Sequence, residues 1–130
     1  MSPESVAELV KAARAASEYA YAPYSHFRVG AAVRDEHGRV HIGCNVENAS
    51  YGLTICAERN AVAAMVAAGG TRIVEMALYT PTEKPVTPCG ACRQVIAEFG
   101  RGATIVLACA GGEPVFSKTE ELLPLAFVLD

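Results

Sequence analysis

Residues 73–79 are a nearly unbroken apolar run, the pattern of a strand covered on both faces. A helical stretch with Val95, Ile96 and Phe99 on its inner side follows, and Thr104–Cys109 is the next β-prone run. Strand, helix and strand in that order make a crossover unit, so the two strands lie parallel in one sheet. A sheet of that kind needs helices on its faces, which predicts an α/β chain: a mixed sheet sandwiched between helices.

The rest of the chain supplies the other elements. Ser2-Pro3-Glu4 has a capping hydroxyl, a proline suited to a first turn and an acid at the positive end of the dipole. Val6, Leu9, Val10 and Ala13 then recur at helical spacing, predicting a helix to about Tyr19. Residues 29–33 and 40–44 are short β-prone runs joined by Asp35-Glu36-His37-Gly38, an antiparallel hairpin. A second helix opens at Cys56-Ala57-Glu58, carries Ala61, Val62, Met65 and Val66 on one face, and stops at Gly69-Gly70. A proline-rich loop, residues 81–88, leads to the third helix near Cys89. Residues 120–130 carry no clear pattern.

The 130 residues are one domain's worth, enough to bury a core without metal or disulfide staples. No apolar run approaches the roughly 18 residues of a membrane span. The first eleven residues lack the pattern of an export signal, so a cytoplasmic, membrane-free protein is expected. A net charge of -3 with acids and bases interspersed gives no footprint for a polyanion, which argues against nucleic acid as a partner. Five cysteines, an odd number, argue for thiolate chemistry or burial rather than a disulfide framework.

Pro88-Cys89-Gly90-Ala91-Cys92 puts two thiols one turn apart at a helix start, where free N–H groups and the dipole favour thiolate. Alone, the pair fits a redox couple or half of a structural zinc site as well as it fits catalysis. Cys56-Ala57-Glu58 adds a third thiol at another helix start, with a carboxylate two residues on. Three protein ligands leave the fourth tetrahedral position of zinc for water, whereas a structural site fills it. Glu58 diverges from Cys56 by about 200° around the helix axis, so it stands beside the metal instead of binding it. Its plainer reading is a glutamate that complements the dipole. His26, His37 and His41 fall in loop or hairpin regions and read as ordinary polar residues. Cys44 and Cys109, in or at the end of strands, read as small buried hydrophobes outside the site.

Cys-x-Glu followed by Pro-Cys-x-x-Cys is the zinc base-deaminase pattern, with the glutamate as acid and base but not as ligand. The motifs at 56–58 and 88–92 resemble the cytidine deaminase family, specifically its small all-cysteine branch. Tyr24-Ser25-His26-Phe27-Arg28-Val29-Gly30-Ala31-Ala32 is similar to the family's first-strand segment, and Gly43-Cys44-Asn45-Val46-Glu47-Asn48-Ala49-Ser50-Tyr51 to its nucleoside-binding segment. The resemblance implies a three-layer α-β-α sandwich on a mixed sheet of about five strands. It implies zinc held by Cys56, Cys89 and Cys92, and hydrolytic deamination of cytidine and deoxycytidine at C4, with Glu58 as the proton shuttle, in pyrimidine salvage. Phe27 would pack on the pyrimidine, Asn45 and Glu47 would bind the ribose hydroxyls, and Ala57 would join the substrate-binding set. The alternatives for these residues are a core phenylalanine and loop-forming polar groups.

Three thiolates on Zn²⁺ carry a net negative charge and make a poor Lewis acid unless something drains it. By resemblance Arg59 hydrogen-bonds the thiolates; otherwise it is a solvated surface residue. The same branch forms homotetramers with shared active sites, for which Tyr51 and Phe127 are the matching candidates, Phe127 being equally readable as a core residue. Competing readings are a same-fold deaminase for another aminopyrimidine of the blasticidin S type, a nucleic-acid deaminase, a zinc-stabilised binding module and a thiol–disulfide oxidoreductase.

Overall fold

The computed structural model describes residues 2–129. Ser2 caps helix α1 (Pro3–Ser17), its Oγ accepting the Ser5 N–H at 3.1 Å. The helix stops two residues short of the expected Tyr19. The N–H groups of Glu18, Tyr19 and Ala20 each reach back three residues, so the last turn tightens and unwinds.

Strands β1 (Gly30–Asp35) and β2 (Val40–Cys44) form the expected antiparallel hairpin, Gly30 opposite Cys44 and Arg34 opposite Val40. Asp35 Oδ1 ties the turn by accepting the N–H groups of His37 at 2.8 Å and Arg39 at 3.0 Å, and Gly38 takes a φ of 80°. Gly30 begins β1 because α1 crosses directly above it: a Cβ there would stand 1.8 Å from the Ala13 carbonyl oxygen.

Helix α2 (Ala57–Ala67) leads to β3 (Ile73–Thr80), and α3 (Gly90–Phe99) leads to β4 (Thr104–Cys109). β3 and β4 are parallel, as the crossover requires. Two further elements close the chain, β5 (Val115–Lys118) and α4 (Thr119–Leu122). The sheet order is β2-β1-β3-β4-β5, with β3 antiparallel to β1 and β5 antiparallel to β4. The mixed five-stranded sheet inside helical layers is the expected class.

Period-two alternation divides the core into two layers. Ala32, Ala77, Tyr79, Val106 and Ala108 face Leu9 and Ala13 of α1. Ala31, Val33, Met76, Leu78, Ile105 and Leu107 face Ala57, Ala61, Val62 and Met65 of α2 and Ile96 of α3. Burying a large side chain such as Leu9 or Met65 contributes about 1.5–3 kcal/mol of transfer free energy.

Two expectations need correction. Val66 is exposed, not part of the inner face of α2. At about 100° per residue it falls beyond the stripe spanned by Ala57, Ala61, Met65 and Val62. The β3 run is also less uniform than its apolar sequence suggests. The register shifts between Arg34 and Asp35 opposite residues 73–75 and leaves Val74 exposed, while Glu75 keeps the alternation of Ala77 and Tyr79 and so faces α1. There Glu75 Oε1 receives Arg34 Nε at 2.5 Å and Ser5 Oγ at 2.8 Å, a paired rather than isolated buried charge.

Candidate active site

Cys56 and Cys89 occupy equivalent places. Each is the N-cap of its helix, extended at φ -70° ψ 155° for Cys56 and φ -67° ψ 167° for Cys89, and neither side chain caps. The backbone carbonyls of both start the helical ladders, accepting Asn60 N–H at 3.1 Å and Arg93 N–H at 3.0 Å. With no capping bond to make, both thiols are left to meet where the two helix starts converge. Cys92 sits one turn into α3 and is buried.

Because α2 and α3 pack side by side on one sheet face, their N-termini meet. The three Sγ atoms lie within 4.8 Å of one another. Sulfur ligands of a tetrahedral zinc lie about 3.8 Å apart, since each bond is about 2.3 Å long, so the donor set fits a single ion. The protonation chemistry fits as well. Burial and the neighbouring Glu58 push the Cys92 thiol up. Burial opposes ionisation of Cys89 too, but hydrogen bonds from Cys92 and Cys56 outweigh it and lower its pKa. One thiolate is therefore easy here, and three at once require a cation among them.

Glu58 lies beside the sulfurs, only 5% exposed. Burial raises its pKa, opposed by its backbone hydrogen bond, by Cys92 and by Arg59. Arg59 Nη2 donates to Cys56 Sγ at 3.5 Å, and this bond heads the causes that raise the arginine's own pKa. Its Nε is buried without a hydrogen-bond partner among the described residues. Arg59 is thus turned toward the thiols, not solvated.

A cleft of about 240 Å³ opens over this cluster. Cys56, Ala57, Glu58 and Cys89 line its metal end; Phe27, Asn45 and Glu47 line the other. Asn45 is buried and works as a splint, its Oδ1 accepting Val29 N–H at 2.9 Å and its Nδ2 donating to the Phe27 carbonyl at 2.8 Å. This anchoring also delays β1 by one residue, to Gly30. Glu47 Oε1 accepts the N–H groups of Tyr24 at 2.9 Å and Ser25 at 3.1 Å, and Ser25 Oγ donates to Oε2. The Ser25 hydroxyl, though opposed by burial, heads the bonds that hold the Glu47 carboxyl below its ordinary range. Phe27 is 37% exposed at the cleft, not a core residue.

The cytidine and deoxycytidylate deaminase zinc-binding region matches residues 3–109. The cytidine deaminase of Sporosarcina psychrophila is 45% identical over 123 residues, 94% of this chain and 90% of that protein. A crystal structure of cytidine deaminase from Burkholderia pseudomallei is 46% identical, with a TM-score of 0.90 over 98% of this chain and 100% of that one. The cytidine deaminase structure from Mycobacterium tuberculosis is 42% identical with a TM-score of 0.83, covering 95% and 98% of the two chains. The chain belongs to the cytidine and deoxycytidylate deaminase family.

Other residues of this deaminase fall outside the cleft. Tyr51, 76% exposed, stands edge-on to Tyr24 with ring centroids 6.1 Å apart, in a depression of about 400 Å³ that shares Ser25, Glu47 and Thr54 with the cleft. Phe127 is 67% exposed, so it is no core residue, and its carbonyl accepts Gln94 Nε2 at 3.0 Å. Cys44 and Cys109 are half-buried, not fully buried as expected: each ends a strand, where the covering helices give out. None of the three histidines joins the sulfur cluster. His41 is more than an ordinary polar residue, since its Nε2 lies 2.8 Å from the buried Asp35 Oδ2. Sequence reasoning missed Ser25, Thr54, Thr80 and Thr87 as lining residues. Small hydroxyl residues are common in loops, and only the folded arrangement separates these four from the rest.

Proposed function

We propose that the chain is a single-domain enzyme that hydrolyses cytidine and deoxycytidine to uridine and deoxyuridine with release of ammonia. The observation that carries this reading is a buried carboxylate beside three converged thiols at the floor of a nucleoside-sized cleft. Cys56, Cys89 and Cys92 hold zinc. Zinc bound there supplies Lewis acidity that brings the pKa of water toward neutrality.

The chain's own residues do the rest. Glu58, whose pKa burial raises toward the working pH, takes the proton of the attacking water and delivers it to ring N3. It then takes the remaining proton from the hydroxyl added at C4 and passes it to the amine as the C4–N bond breaks, leaving the C4 carbonyl and ammonia, so one carboxylate serves both directions. Ala57 lines the cleft with only a methyl group, leaving room for the base. Phe27 presents an aromatic face for the pyrimidine. Asn45 spends one donor and one acceptor on the backbone and keeps one of each, enough to meet a sugar hydroxyl. Glu47, held ionised, accepts from another. Arg59 draws charge from the sulfurs through Cys56.

Two exposed aromatic residues fit a homotetramer with shared sites, Tyr51 bordering the cleft and Phe127 reaching a neighbour's. The cleft's open end, with Phe27 partly uncovered, supports that arrangement. A cytoplasmic nucleoside enzyme in pyrimidine salvage completes the reading; among the described residues no helix is long and apolar enough to cross a membrane.

The test is ultraviolet loss of cytidine with ammonia release by protein of known zinc content, beside Glu58→Gln. Wild-type turnover at about one zinc per chain is expected, with kcat lowered about 10³-fold or more in a variant that keeps its zinc. Zinc-loaded wild type that leaves cytidine untouched overturns the substrate, and an active Glu58→Gln overturns the role of Glu58.

A further inference from the structure

The end of the sheet that bears the cleft carries a hydroxyl chain that none of the assigned roles uses. Thr80, the last residue of β3, is 1% exposed yet lines the cleft. Its Oγ1 lies 2.7 Å from Thr82 Oγ1, and Thr82 Oγ1 donates to the Lys84 carbonyl at 2.7 Å. Proton counting orders the chain. A carbonyl only accepts, so the one hydroxyl proton of Thr82 goes to Lys84, and Thr80 donates to Thr82.

The same segment is stitched to the loop after β4. Ala110 N–H donates to the Thr80 carbonyl at 3.2 Å and Gly111 N–H to the Thr82 carbonyl at 3.1 Å. Cys109 Sγ donates to the Glu83 carbonyl at 3.5 Å. Gly111 makes the approach possible, since a Cβ there would meet Glu83 Cα at 2.7 Å. The loops following two parallel strands thus form one clasped unit at the strands' C-terminal ends, the usual place for a ligand in such sheets. From the clasp the chain runs through Val86 and Thr87, both lining the cleft, into Pro88 and Cys89.

We infer that Thr82 is a positioning residue of the deaminase. Through Thr80 and the Lys84 carbonyl it fixes the course of residues 82–88, and so places the Val86–Thr87 wall against the bound base. The inference rests on the proposed cytidine reading for its substrate, though not for its mechanics. A wall that meets ground state and transition state alike governs KM rather than kcat. Removing the Thr82 hydroxyl also leaves the buried Thr80 hydroxyl without its acceptor and hands the exposed Lys84 carbonyl to water, so the segment loosens locally.

The experiment uses the zinc-loaded protein and compares wild type, Thr82→Val and Thr82→Ser. For Thr82→Val, the KM for cytidine is expected to rise about fivefold or more, with kcat within about twofold and zinc content unchanged. Exchange of the Ala110 and Gly111 amides, which donate to the Thr80 and Thr82 carbonyls, quickens about tenfold while that of α2 stays as in wild type. Thr82→Ser, which keeps the hydroxyl, restores both. An unchanged KM in Thr82→Val, unchanged exchange, or a serine variant that behaves like valine overturns the inference. If wild type fails to turn over cytidine, the substrate reading falls and the exchange comparison alone decides the clasp.

Discussion

The two carboxylates of the cleft are pushed in opposite directions. Glu58 is shut in beside the sulfurs, and burial raises its pKa; Glu47, at the far end, is surrounded by donors led by Ser25, and its pKa falls. Environments that separate two acids in this way suit the separate roles proposed for them: the raised one to trade protons, and the lowered one to stay ionised, to hold and to accept. The surroundings differ in kind as well. The metal end is built on two helix N-termini seated in a packed core. The other end is built on the turn at residues 22–27 and the strand-exit segment at 45–47, held by side-chain bonds to backbone.

If the metal end owes its form to the core, removing the metal should stop the chemistry and spare the fold. This is the largest expected effect. Chelation is expected to abolish turnover, while far-ultraviolet circular dichroism and a cooperative thermal transition persist, because both core layers close without the ion. A stripped protein that unfolds would make the metal structural and revive the binding-module reading.

Arg59 gives the next effect down. Its guanidinium bonds Cys56 and, among the described residues, leaves Nε buried and unpaired, so its place is set by the thiols rather than by a full set of partners. Arg59→Gln is expected to keep most of the zinc and to lower kcat about tenfold to a hundredfold, the range for groups that orient and tune metal ligands. Unchanged kcat at full zinc occupancy would remove Arg59 from the mechanism.

The same contrast explains what the sequence made legible. Cys56, Glu58, Cys89 and Cys92 could be found because helix starts and short spacings are local properties, although Cys56 is the extended cap of α2 and not a helical residue, so the divergence of about 200° expected between it and Glu58 does not carry over to the structure. The other end depended on resemblance: nothing in the spacing of Phe27, Asn45 and Glu47 shows that Asn45 splints the chain at residues 27–29. β5 escaped notice because it is a four-residue edge strand with Val115 and Phe116 exposed, lacking alternation. The Thr80–Thr82 chain and the pairing of Glu75 with Arg34 and Ser5 arise only once β3 has its neighbours. Val66 was misplaced by taking an apolar residue at helical spacing as buried, when the angular limit of the stripe excludes it.

Ser25 sharpens the comparison with the smallest change, because one hydroxyl serves the non-metal end twice. Its Oγ donates to Glu47 and accepts the Phe27 N–H at 3.0 Å, so it couples the proposed sugar acceptor to the residue proposed to meet the base. Ser25→Ala is expected to raise the KM for cytidine about threefold to tenfold with little change in kcat, the mark of binding lost equally in ground and transition states. The variant should also change the acid response. A carboxylate whose folded pKa is depressed adds stability above its unfolded pKa and loses that contribution as pH falls through the lower, folded value. With its leading donor gone, Glu47 in Ser25→Ala has less depression to lose, so Tm should fall less steeply with acidification below the ordinary carboxylate range. Thermal melts of both proteins across that range measure the difference. Parallel curves would mean that the two backbone N–H groups alone hold Glu47, leaving Ser25 to act only through Phe27.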